Sequence, residues 1–179
     1  MSIASLYSSL TGASGYIPLP LHDWRLVASN DVPVIAVASG NGGNMASDTS
    51  PKLIRVSTST DKCLTISWAS STSIEIFQAI QYPPDMDVTA TYVVNLRLKS
   101  GSTDTPVVAV GVFEGIGDTN RGGNTGASAS TISTISATIT PTTGFPNFAA
   151  VSLIPAAHTT DALTMYAAWI TYTRKLTSV

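Results

Sequence analysis

Between residues 88 and 99 the side chains follow a period of two, and that period restricts the fold more than any other feature of the chain. Val88, Ala90, Tyr92, Val94, Leu96 and Leu98 share one parity, while Thr89, Thr91, Asn95, Arg97 and Lys99 share the other. Successive side chains on an extended backbone point to opposite faces, so this segment buries one face and wets the other. Such a strand belongs to an antiparallel sheet packed on a core. Residues 107–113 are nearly all apolar and mostly β-branched, which predicts a more central strand. Gly101 and Pro106 lie between the two segments, and the sequence predicts that the segments pair as a hairpin through that turn.

The same reading along the chain gives nine candidate strands: 22–27, 53–58, 63–69, 73–82, 88–99, 107–113, 132–139, 148–154 and 162–174. No stretch keeps a helical period. With 179 residues the chain can build one good core but not two ordinary domains. The expected fold is all-β, a two-sheet antiparallel β-sandwich of jelly-roll type with an extended N-terminal arm. Residues 1–35 form the arm and first strand, 36–51 a Gly- and Asn-rich loop, and 52–179 the sandwich.

Composition bears on what covers this sandwich. Charged residues make up 11% of the chain and hydrophobic residues 44%, against the ~25–35% charged residues expected of a soluble surface. From Met1 to His22 there is no Asp, Glu, Lys or Arg, and the same holds from Gly122 to Thr160. Unguarded β edges of this kind are usually buried against another chain. The nine basic residues are scattered rather than gathered in a stripe, so nucleic acid is not an expected partner. No apolar run approaches the ~20 residues of a membrane helix, and the N-terminus lacks a secretory signal pattern. A soluble protein made in a cytoplasm is expected.

Two segments break the rule of one wet face. In the arm, Leu6, Tyr7, Leu10, Tyr16 and Ile17 are apolar with no charge among them, and Pro18 and Pro20 limit the segment to an edge or an arm. These five residues are expected to contact a neighbouring subunit; folding back over the chain's own sandwich is the alternative. In the last strand, odd positions (Leu163, Met165, Trp169) and even positions (Tyr166, Ile170, Tyr172) are both apolar. One face would pack on the core and leave Tyr166, Ile170 and Tyr172 as an oligomer interface.

Chemistry-bearing groups are sparse. The single cysteine, Cys63, excludes a disulfide framework and a multi-cysteine metal site, and its alternating surroundings predict a buried structural thiol. Residues 114–126 are Gly-rich, but Asn120 stands where a dinucleotide fingerprint needs glycine, and a β-rich segment follows instead of a helix. Only Asp118 could serve a calcium loop there. His158 and Asp161 share a turn whose residue types favour backbone hydrogen bonds over catalysis, and Asp85 and Asp87 lie on a Pro-Pro turn without the separated environments that acid and base need. No catalytic, cofactor or metal site is expected. Trp24, Trp68 and Trp169 could stack on sugar, or pack in the core.

Three stretches, residues 5–21 (SLYSSLTGASGYIPLPL), 112–118 (VFEGIGD) and 154–169 (IPAAHTTDALTMYAAW), resemble small structural proteins of tailed bacteriophages. The resemblance implies a non-enzymatic virion protein on the capsid surface, a decoration or cement protein. Such a protein assembles as a homo-oligomer, a trimer being favoured, and binds the major capsid protein lattice. The alternative is a receptor- or glycan-binding module of a tail fibre or baseplate.

Overall fold

A computed structural model describes residues 13–27, 33–34, 51–57, 62–114, 120–141 and 148–175. Among them are twelve strands and one short 3-10 turn, Leu21–Asp23. The strands form two antiparallel sheets that face each other across one core, a β-sandwich.

Sheet 1 is built from β1 (Ser14–Pro18), β4 (Lys52–Ser57), β5 (Lys62–Trp68), β7 (Tyr92–Lys99), β10 (Ser133–Ile139) and β12 (Leu163–Thr173). Its order is β10-β7-β12-β5-β4, with β1 also paired to β12. Sheet 2 contains β2 (Arg25–Val27), β3 (Pro33–Val34), β6 (Ile76–Gln81), β8 (Val108–Phe113), β9 (Gly123–Asn124) and β11 (Phe148–Pro155), in the order β3-β2-β6-β11-β8-β9. The expected arm therefore supplies strands to both sheets, and residues on both sides of 36–50 build a single core.

The period of two in residues 88–99 holds except at Asn95: Tyr92, Val94, Leu96 and Leu98 are buried and Arg97 and Lys99 are exposed, while Asn95, on the outward parity, is buried as well. Its pairing differs from the expected hairpin. β7 pairs with β10 and β12, whereas β8 pairs with β11 and β9, so the two strands lie in opposite sheets. The connection between them is held by a reciprocal clasp that sequence adjacency does not reveal. Asp161 accepts from the backbone N–H groups of Thr103 (2.7 Å) and Asp104 (2.9 Å), and Asp104 accepts from those of Thr160 and Asp161. The β4–β5 hairpin forms as expected.

The last strand is two-faced in sequence but not in space. Its register against β7 shifts between Met165 and Ala167, a bulge that reverses side-chain parity. Leu163 and Met165 point inward before the shift, and Ala168, Ile170 and Tyr172 point inward after it. All the large aliphatic side chains of the strand thus enter the same core. Each fully buried aliphatic or aromatic side chain contributes about 1.5–3 kcal/mol. At eleven residues β12 is long enough to serve two partners on one edge, β5 along Leu163–Met165 and β1 along Trp169–Thr173.

Candidate functional site

The placement of the candidate residues follows from that bulge. Ile170 (0% exposed) and Tyr172 (5%) lie in the chain's own core, which corrects their assignment to an oligomer surface. Tyr166 is half-buried on the outer side, beside the bulge. Among the arm residues, Leu6, Tyr7 and Leu10 lie outside the described residues. Ile17 packs into the core of its own sandwich, because β1 pairs antiparallel with β12 and aims that position inward. The fold-back alternative, not contact with a neighbour, accounts for this part of the arm. Tyr16, on the opposite parity, is 58% exposed.

The three tryptophans separate in the same way. Trp24 and Trp68 are buried in the core, and Trp68 donates through Nε1 to the carbonyl of Ile74. Trp169 alternates with Ala168 and Ile170 and so reaches the outer face of sheet 1. There its ring lies near-parallel to that of Tyr16, at 25° with centroids 6.4 Å apart. The pair arises from register: Pro18 stands opposite Trp169 and Tyr16 opposite Thr171, so the two rings are diagonal neighbours.

Polar rungs flank the aromatic pair. Trp169 faces Asn95 across β7, and Asn95 faces Ser136 across β10. Asn95 donates through Nδ2 to Thr171 Oγ1 (3.1 Å) and accepts at Oδ1 from Ser136 Oγ (2.8 Å). This amide fixes the polarity of both hydroxyls, since Thr171 keeps its own proton to donate and Ser136 keeps lone pairs to accept. Arg97 stands one rung away, opposite Ala167 and Thr134. The result is a preformed sheet face with two near-parallel aromatic rings beside oriented hydroxyls and a guanidinium. Apolar rings and a few fixed polar groups are what a ligand with one apolar and several hydrogen-bonding edges requires.

The catalytic candidates serve structural hydrogen bonds. His158 is buried, with Nδ1 2.9 Å from the carbonyl of Ala156 and Nε2 3.1 Å from that of Ala69. Asp161 belongs to the clasp. Asp85 accepts from Tyr172 Oη and pairs with Arg174 at 3.3 Å. Asp87 accepts from the N–H and hydroxyl of Thr89, which hold its carboxyl below the usual range. Of the Gly-rich segment, 115–119 lies outside the described residues. Asn120 beyond it accepts from Val112 N–H and Gly122 N–H as the chain returns along β8. Gly122 is required there, because a Cβ would strike the carbonyl of Val110. Cys63, expected to be buried, is a half-buried free thiol on β5.

The sequence alone groups Trp169 with Trp24 and Trp68, as a sugar platform or as core, and sets Tyr16 in an arm. The signal that could have joined them was parity: Tyr16 is opposite in phase to Ile17, as Trp169 is to Ile170, and apolar pairs of this kind mark one inward and one outward position.

No family model matches the chain, and no curated protein matches it. Among solved structures, a xylan-binding module, CBM15, superposes with a TM-score of 0.52 at 12% identity, over 92% of this chain and 100% of that one. A Clostridium thermocellum endo-1,4-β-D-xylanase 10B structure comprising CBM22-1 and GH10 modules with xylohexaose gives 0.53 at 13% identity. That match takes in 95% of this chain but spans only 29% of the xylanase chain. At such identities the likeness shows the β-sandwich fold alone.

Proposed function

We propose that this chain is a non-catalytic carbohydrate-binding module whose binding face is the outer surface of sheet 1. The observation that carries the reading is the near-parallel Tyr16–Trp169 pair, with Tyr16 exposed and Trp169 half-buried, on a hydrogen-bonding sheet face. A sugar ring presents an apolar C–H face and an equatorial rim of hydroxyls. The aromatic rings take the first, and Thr171, Ser136 and Arg97 take the second. The like fold of a protein described as xylan-binding, and of one bound to xylohexaose, supports the reading.

The capsid-lattice expectation rests on the sequence resemblance; of the apolar side chains expected to contact other subunits, Ile17, Ile170 and Tyr172 are occupied by the chain's own core. In the virion setting that the sequence resemblance implies, the module belongs on a tail fibre or baseplate, where the face takes host polysaccharide. Labelled protein on the tail rather than the head of a particle is the expected location.

Affinity electrophoresis against a panel of soluble polysaccharides tests the main reading. At least one polysaccharide should retard the chain, and Trp169→Ala or Tyr16→Ala should weaken that binding about 30-fold or more, the ~2 kcal/mol typical of a truncated aromatic anchor. Retardation unchanged in both variants would remove this face from consideration.

A further inference from the structure

We infer that the glycan recognised by this face is an anionic polysaccharide, held by a cationic row across sheet 1. The inference rests on the carbohydrate-binding reading of the same face and names the class of ligand. The register places Lys99 of β7 opposite Thr164 of β12, Thr164 opposite Ser67 of β5, and Ser67 opposite Lys52 of β4. All four occupy outward positions, since their strand neighbours Leu98, Leu163, Met165, Ile66, Trp68 and Leu53 are buried. The row therefore reads cation, hydroxyl, hydroxyl, cation, with Ser67 Oγ and Thr164 Oγ1 3.4 Å apart. Three inter-strand spacings of about 4.8 Å put the two lysine Cα atoms about 14 Å apart, which lets both ammonium groups lean toward one anionic group between them. Arg97 extends the positive region toward Trp169, because it lies one outward position from Lys99 and diagonal to Trp169.

Charge complementarity selects the occupant. The described outward positions of β1, β4, β5, β7, β10 and β12 include Lys52, Arg97 and Lys99 and no Asp or Glu. Three of the nine basic residues of a chain with net charge -2 thus gather on the face that carries the aromatic pair. A neutral glycan would leave these cations without a counter-charge. A chain bearing carboxylate or sulfate groups satisfies them while its rings stack on Tyr16 and Trp169.

The test compares wild type with R97Q/K99Q, K52Q and Trp169→Ala in affinity electrophoresis and calorimetry. The probes are polygalacturonate, dextran sulfate and neutral xylan. Wild type should prefer an acidic polymer over xylan, and R97Q/K99Q should lower that affinity about tenfold, as two exposed ion pairs allow. Raising salt should weaken binding of wild type more than that of R97Q/K99Q. Binding of both acidic polymers supports the shared chemistry, while binding of one alone assigns the carboxylate or the sulfate. Xylan bound as tightly as the acidic polymers, with R97Q/K99Q unaffected, overturns the anionic class and leaves the aromatic face standing. Acidic polymers bound equally by wild type and Trp169→Ala overturn it too, as charge attraction without a site. If no polysaccharide binds wild type, the carbohydrate-binding reading falls with it.

Discussion

Glu114 is fully buried at the end of β8, where it accepts from Tyr82 Oη at 2.9 Å; Tyr92 Oη lies 3.3 Å from the same carboxylate oxygen and 2.9 Å from Tyr82 Oη. The two rings pack edge-on with centroids 5.9 Å apart. Burial is the main cause that pushes both phenols above the ordinary tyrosine range. For Tyr82 the neighbouring Tyr92 adds to it, and the Glu114 charge works in the same direction for both. A phenol whose folded pKa is raised stabilises the fold below its unfolded pKa of about 10, and that stability is lost as pH rises beyond it. The melting temperature should therefore hold from neutral pH to about 10 and then fall. Tyr82→Phe takes a donor from a buried carboxylate, which costs about 1–3 kcal/mol at pH 7 in chemical denaturation. It should also flatten the alkaline fall; an alkaline limb as steep as that of wild type would show that other groups drive it. None of this was legible in the sequence. Glu114 reads there only as the start of a Gly-rich loop, and its partners stand 22 and 32 residues away. The outward position of Arg97 was legible, because period two is a local property of its strand, whereas Trp169 reads on the same parity as the inward Leu163 and Met165 until the bulge reverses it.

At the scale of elements, strand existence was readable and strand partnership was not. Residues 88–99 and 107–113 form strands as expected, but the Asp104–Asp161 clasp directs the chain across to the other sheet. Its acidic partners are 57 residues apart. Parity in the last strand failed for a related reason, since a single bulge at Met165–Ala167 turns two apolar phases into one buried face. β1 is the element on which the candidate site depends, because it carries Tyr16. Gly15 lies opposite Tyr172, and a Cβ there would enter the Tyr172 ring. That ring has little freedom to move aside, being buried and tied through its hydroxyl to Asp85. Gly15→Ala should therefore destabilise the fold by about 1–3 kcal/mol, the usual cost of overpacking. It should also displace β1 and lower polysaccharide affinity at least as far as Tyr16→Ala does, although no ligand-facing side chain is changed. Denaturation curves and affinity electrophoresis on the same variant check both parts.

Across the whole molecule, the core and the candidate site use opposite sides of sheet 1. The inward residues of β7 and β12 are Tyr92, Val94, Leu96, Leu98, Ile170 and Tyr172, and they make the core against sheet 2. The outward ones are Asn95, Arg97, Lys99, Trp169 and Thr171, and they make the candidate site. Alternation along two strands thus builds a rigid support and the candidate site from the same backbone, so the aromatic pair is held in place by the fold itself. Thermal stability should separate the two roles. A ligand that binds only the folded chain stabilises it by RT ln(1 + [L]/Kd), about 2.7 kcal/mol at a hundredfold excess over Kd. Saturating polysaccharide should raise the melting temperature of wild type accordingly. Trp169→Ala, which removes an outward ring and leaves the core intact, should melt close to wild type without ligand and show no upward shift with it. A large loss of unliganded stability in Trp169→Ala would instead make that ring part of the fold's own packing, and the outer face would lose its claim to be a separate functional surface.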